Sequence, residues 1–189
     1  PDYSSAASDV YKRQPFLPGG LLNKLTVRAF NEAWYRKAPK HRIGELQEIA
    51  SFFHPLDGVQ DGNRIYGPAG FLQYQFAVPN EAAHMVQRTL EALRRAGAPS
   101  FLTVLKRFGP CNPAPLSFPI AGWTLAVDIP AAVDGLLEVL NQLDEEVAAA
   151  GGRIYLAKDS RQSFSIFKKT FRHEEWFELK RQLLSLIHI

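Results

Sequence analysis

The chain has 189 residues, 46% of them hydrophobic and 22% charged, with a formal net charge of +3. That balance supports a packed core and excludes wholesale disorder, and so small a charge argues against nucleic acid unless a basic patch is clustered. One cysteine, Cys111, and no run of 18 apolar residues exclude an internal disulfide, a thiol metal site built by this chain alone and a spanning helix.

Residues 1–14, PDYSSAASDVYKRQ, are polar and patternless, and LLSLIHI ends the chain after a charged helix. Both stretches resemble translated adaptor sequence. The expectation is a native segment over residues 15–183, an internal fragment without its own start methionine, with residues 184–189 foreign. No apolar signal region opens the chain, and a missing native N-terminus leaves targeting unreadable.

Residues 21–38 space their apolar positions as a helix does, and Pro39 closes it. Arg36, Lys37, Lys40, His41 and Arg42 form a basic cluster. It reads as a solvated loop or as a contact for an anionic group, and it lacks the aromatics of a nucleic-acid platform. IGELQEIASFF, 43–53, reads as extended, and residues 54–70 as a glycine- and aspartate-rich loop.

FLQYQFAV, 71–78, alternates as a strand. A helix follows over 79–97, with Asn80 as its cap and Gly97 as its stop. Residues 100–108, SFLTVLKRF, and 122–129, GWTLAVDI, read as strands joined by a proline-stiffened loop. A helix is expected over 130–152 with Pro130 at its start, then a short strand, RIYLA. The order β-α-β-β-α-β predicts an α+β fold, the ferredoxin-like antiparallel sheet with helices on one face. Residues 159–171 and 173–183 read as two further helices without a partner sheet, and Asp159 or Ser160 as a cap.

The free face of the sheet is where a site belongs. Leu72, Tyr74, Phe76 and Val78 share one face of their strand and Gln73 and Gln75 the other; Trp123, Leu125, Val127 and Ile129 oppose Thr124, Ala126 and Asp128. Small and polar residues on one face suit a ligand wall. Leu102, Val104 and Lys106 share a face, but both sides of that strand are apolar, so alternation does not orient it. Lys106 is either a strand-end lysine reaching water or a cleft lysine for an anionic or oxygen-rich ligand. Lys158 sits at a strand-to-helix junction, open to a structural or a catalytic reading. His54, His84 and His173 lack metal-ligand spacing, and no phosphate-loop or nucleophile-elbow motif occurs.

ASFFHPLDGVQDGNRIYGPAGFLQYQFAVP, FLTVLKRFGPCNPAPLSFPIAGWTLAVDIP and GGRIYLAKDSR together resemble the FAD-dependent oxidases of the vanillyl-alcohol oxidase type. Within that group they are most similar to the oxidase subunits of decaprenylphosphoryl-β-D-ribose 2'-epimerases. The resemblance implies a substrate domain over residues 15–152 and, over 153–183, the start of a return into an FAD-binding domain whose bulk lies elsewhere. It implies FAD as cofactor and hydride transfer from a secondary alcohol of a sugar to flavin N5. It also implies a lipid-linked substrate that could bring a membrane surface near, and a reductase partner completing epimerisation. Aldonolactone oxidases share the architecture and are the alternative enzyme, and a non-catalytic ferredoxin-like binding domain is the alternative of a different class. By position Lys158 matches the lysine beside flavin and substrate; Lys106, Gln73, Gln75, Thr124, Ala126, Leu102 and Phe53 match the substrate wall. Phe53 stands where tyrosine is usual. Thr124 and Ala126 replace the asparagine and cysteine of mycobacterial members, so covalent capture at that cysteine position is lost. The chain alone is expected not to retain FAD.

Overall fold

The computed structural model describes residues 12–13, 24–41, 43–53, 59–60, 64, 66–100 and 102–187. The chain divides into two compact units, residues 1–70 and 71–189. In the first, β1 (Lys12–Arg13) pairs in parallel with β2 (Val59–Gln60), and the helices are α1 (Lys24–Lys37) and α2 (Ile49–Phe53). The helix expected over 21–38 is present over Lys24–Lys37, and residues 21–23 lie outside the described residues. The extended reading of 43–53 is corrected at its end, where α2 forms one short helical stretch, and β2 interrupts the loop expected over 54–70. On α1, Arg36 Nε donates to Glu32 Oε1 at 2.7 Å and Lys37 lies over the Trp34 ring; both are ordinary helix-surface contacts.

The second unit is α+β. Its strands are β3 (Phe71–Pro79), β4 (Thr103–Phe108), β5 (Gly122–Pro130) and β6 (Arg153–Ile154). They form one sheet in the order β4-β5-β3-β6, with every neighbouring pair antiparallel. The long central pair runs from Phe71 opposite Pro130 to Pro79 opposite Gly122. Gly122 is required there: an added Cβ would stand 2.1 Å from the Val78 carbonyl oxygen, so the two backbones close in a space that admits no side chain.

Three helices cover one face. They are α3 (His84–Arg95), α4 (Leu136–Ala149) and α5 (Phe164–Thr170). The spacing of Leu136, Leu140, Leu143 and Val147 puts all four on one side of α4, and all four are buried. They meet Tyr74, Phe76, Val78, Leu125, Val127 and Ile129 from the sheet, Met85 and Leu93 from α3, and Ile166 from α5 in one core. Arg88 on α3 ties α4 through two hydrogen bonds to Glu146, at 2.9 and 2.8 Å. Arg161 meets the buried Asp144 carboxylate at 2.5 Å and lies over the Tyr74 ring. Residues on either side of position 153 thus pack with the same helix, and α5 has a home in this core. The last helix is α6 (His173–Ile187).

Three local expectations need correction. A single 3₁₀ turn, Asn80–Ala82, precedes α3, and no side chain caps either; Asn80 contributes its carbonyl, which accepts from Ala83 N. Pro130 does not open α4. It ends β5 opposite Phe71, and α4 begins six residues later behind Gly135, whose φ of 67° lies in the left-handed region. The cap of α5 is Ser163, whose hydroxyl accepts from Ile166 N, in place of Asp159 or Ser160. Gly97 does end α3: its N–H donates to the Arg94 carbonyl while Ala98 N–H donates to that of Leu93.

Candidate functional site

The face of the sheet away from α3 and α4 forms a cleft of about 190 Å³. Strand register explains its lining. Gln73 stands opposite Asp128 and Gln75 opposite Ala126; Ala126 in turn stands opposite Val104, and Thr124 opposite Lys106. Directly paired residues project to the same side, so β3, β5 and β4 present one row each. Leu102 continues the β4 row, its carbonyl accepting from Asp128 N at 3.0 Å. The strand that alternation left unoriented is thereby oriented: Leu102, Val104 and Lys106 face the cleft.

The proline-rich connection closes one end of this face. Phe118, buried in that loop, stacks on Tyr155 with centroids 4.4 Å apart and meets Phe108 edge-on at 5.8 Å. The Arg153 guanidinium donates to the Ser117 carbonyl. The loop thus spans from the end of β4 to the end of β6.

Lys158 enters from the opposite border of the sheet to Lys106. After β6 the chain turns, Tyr155 N donating to the Gln75 carbonyl at 2.9 Å, and Lys158 Nζ reaches back to donate to Gln73 Oε1 at 2.9 Å. Gln73 Nε2 then donates to Asp128 Oδ1 at 2.9 Å, and Gln75 Nε2 to Thr124 Oγ1 at 3.1 Å. Thr124 is 1% exposed, so its hydroxyl acts mainly by holding Gln75. Lys106 is exposed and has no hydrogen-bond or ion-pair partner among the described residues.

Seven expected site residues therefore come together: Lys158, Lys106, Gln73, Gln75, Thr124, Ala126 and Leu102 all line the cleft. Phe53 belongs to the first unit, at the end of α2. Asp128 and Val104 are cleft residues that the expected set omits. Asp128 shares the strand face of Thr124 and Ala126, so a period of two from those residues is the signal that marks it.

No protein-family model matches the chain. Over 167 residues it is 46% identical to the decaprenylphosphoryl-β-D-ribose oxidase of Mycolicibacterium smegmatis, a match covering 88% of this chain and 36% of that protein. The chain belongs to the family of that oxidase. A second relative, an uncharacterized protein in the mprA 5' region of Streptomyces coelicolor, is 36% identical over 156 residues, covering 78% of this chain and 42% of that protein. The chain spans less than half the length of either relative. What this member of the oxidase family contains, within the described residues, is the sheet, its helices and the cleft.

Asp128 gives the cleft a pH dependence of known sign. Burial raises its pKa above the ordinary 3.8, opposed by the Gln73 hydrogen bond and the Lys158 charge, while Asp159 adds to the rise. The folded state thus holds this proton more tightly than the unfolded chain. Stability from Asp128 grows as pH falls through the raised value toward 3.8 and is lost as pH rises. Asp128→Asn keeps an oxygen for Gln73 Nε2 and removes the buried charge. It should raise Tm at pH 7, with the gain shrinking as pH approaches 4. Melting curves of the two proteins across that range check this, and a lower Tm for the variant at pH 7 would contradict it.

Proposed function

We propose that this chain carries the substrate cleft of an FAD-dependent oxidoreductase that oxidises a secondary alcohol of a sugar, and that the substrate is a lipid-linked phosphoryl sugar of the decaprenylphosphoryl-ribose kind. The observation carrying this reading is the single cleft that gathers Lys158, Lys106, Gln73 and Gln75 on the free face of the sheet. The strand order β4-β5-β3-β6 with antiparallel neighbours supports a ferredoxin-like substrate domain. The similarity to the mycolicibacterial oxidase supports the reaction class.

The donor set suits both a sugar and one edge of a flavin. Neither Lys106 nor Lys158 is ion-paired among the described residues, and a free ammonium at a cleft border suits phosphate, alkoxide or reduced-flavin oxygen and nitrogen. When bound, FAD supplies the hydride acceptor. Lys158 Nζ spends one N–H on Gln73 Oε1 and has two left. These would donate to the carbinol oxygen while its hydroxyl proton passes to solvent water and its C–H hydride leaves for the flavin, and would offset the negative charge that the transfer creates. Lys106, across the sheet, takes the phosphoryl or other oxygen-rich end. Gln75 Nε2 is held by Thr124, which leaves Oε1 to accept from a sugar hydroxyl. Ala126 provides room between them and has no nucleophile.

A chimera tests this reading: residues 20–183 of this chain replace the matching segment of the mycolicibacterial oxidase. We expect a bound flavin spectrum and anaerobic bleaching of it by decaprenylphosphoryl-ribose. A flavin-loaded chimera bleached only by an aldonolactone would move the assignment to the lactone oxidases. One that no sugar bleaches would leave a binding domain. The reductase that would complete an epimerisation is part of the same proposal and acts on the released keto-sugar.

A further inference from the structure

Gln73 is held at three points. Its side-chain oxygen accepts from Lys158 Nζ at 2.9 Å, its side-chain nitrogen donates to Asp128 Oδ1 at 2.9 Å, and its backbone N–H donates to Asp159 Oδ2 at 2.6 Å. An ammonium only donates and an ionised carboxylate only accepts. With one of each at its two ends, the amide has one orientation that satisfies both. Asp128 is 8% exposed at the floor of the cleft, so its side chain has little freedom to move away.

The backbone contact has its own logic. β6 pairs with β3 only at Phe76–Ile154 and Ala77–Arg153, and one further bond joins Tyr155 N to the Gln75 carbonyl. Gln73 N–H is the next donor along that edge of β3, two residues on and pointing the same way. The Asp159 carboxylate takes the place that a strand carbonyl would fill. Since Asp159 follows Lys158 directly, this bond fixes the backbone from which the lysine projects.

We propose that Asp128 and Asp159 are positioning residues that set the place and direction of the Lys158 ammonium, Asp128 through the Gln73 amide and Asp159 through the backbone. This rests on the reading of Lys158 as the cleft's working cation. Asp159 holds the stem and Gln73 holds the head, and two donors of the ammonium are left aimed into the cleft. The charged groups around the amide are Asp128 from β5, Lys158 and Asp159 from the turn after β6, and Lys106 across the cleft from β4. Among the residues lining the cleft, β3 itself contributes the two uncharged glutamines.

The test uses the 189-residue chain and needs no flavin. Glutamine side-chain amides labelled with nitrogen-15 and lysine side chains labelled with carbon-13 report the Gln73–Lys158 contact by NMR, with Gln73→Ala identifying the Gln73 signals. In the unaltered chain a nuclear Overhauser contact should join the Lys158 ε-methylene to the Gln73 side chain. Asp128→Asn should keep it, because asparagine still offers an oxygen to Nε2. Asp128→Leu should weaken it at least about twofold and collapse the spread of the two Gln73 amide protons, while the backbone spectrum of β3 and β5 stays native. Asp159→Ala should weaken the same contact independently. An undiminished contact in the folded Asp128→Leu and Asp159→Ala chains would overturn the proposal. In the chimera, Asp128→Leu should lower kcat about tenfold at little change in KM, with Asp128→Asn restoring most of it. A chimera that lacks sugar oxidation altogether would sink the functional reading and leave the NMR result standing.

Discussion

Lys158→Met in the flavin-loaded chimera should slow anaerobic flavin reduction by about 10²- to 10⁴-fold, the range expected when a proton-handling or charge-stabilising group is removed. Methionine retains most of the stem and none of the donors, so packing in the turn after β6 is largely kept. What disappears is the hydrogen bond to Gln73 Oε1 and the charge that would face the oxygen and ring undergoing reaction. Single-turnover stopped-flow with saturating sugar isolates this step from oxygen or carrier chemistry. A rate within twofold of the unaltered chimera would remove Lys158 from the catalytic set. Lys106→Met, at the other border of the cleft, acts on the substrate's far end, so its effect belongs in KM.

Phe76→Ala should cost about 3–5 kcal/mol of stability, as large-to-small changes at fully enclosed aromatic positions do. Phe76 has 0% exposure. It stands opposite Leu125 on β5 and Ile154 on β6, so its ring joins three strands under the helices. Urea titration of the chain should show a lower midpoint at an unchanged slope. The expected loss is a large part of the roughly 5–15 kcal/mol a domain has. It would also reach the cleft, because Gln75 and Ala77 flank Phe76 on the same strand and point to the opposite side. A cost below about 1 kcal/mol would mean that the core around β3 collapses to fill the gap.

How far the sequence could be read depended on which strands had two different faces. β3 and β5 lie in the middle of the sheet with helices on one side and the cleft on the other, so apolar and polar residues alternate cleanly along them. Tyr74, Phe76, Leu125 and Val127 fell on the core side, and Gln73, Gln75, Thr124 and Ala126 on the cleft side, by period alone. β4 is an edge strand. Leu105, on its core-side row, is still 50% exposed, and apolar residues occur on both rows, so only pairing with β5 reveals which row faces the cleft. The start of α4 was misplaced because proline suits the end of a strand as well as the first turn of a helix, and Gly135 became visible as the true boundary only through its left-handed backbone. The short helix α2 was hidden by IASFF, whose β-branched and aromatic residues favour a strand. Period alone put Asp128 on the cleft side with Thr124 and Ala126, but its partner needed the register, which stands Gln73 opposite it. The roles given to the cleft residues came from the family resemblance, and the geometry supplies their proximity.

The bond from Gln73 N–H to Asp159 bears on more than the lysine beside it. β6 shields only a short length of β3, so the lower part of that strand would otherwise offer an unpaired donor on an exposed border. Such borders recruit strands from other molecules and seed aggregates. Asp159 occupies the donor with a charged group that no incoming backbone can easily displace. The same carboxylate therefore protects the chain against edge-to-edge association, and a variant lacking it would be expected to lose solubility at high concentration before it lost its fold.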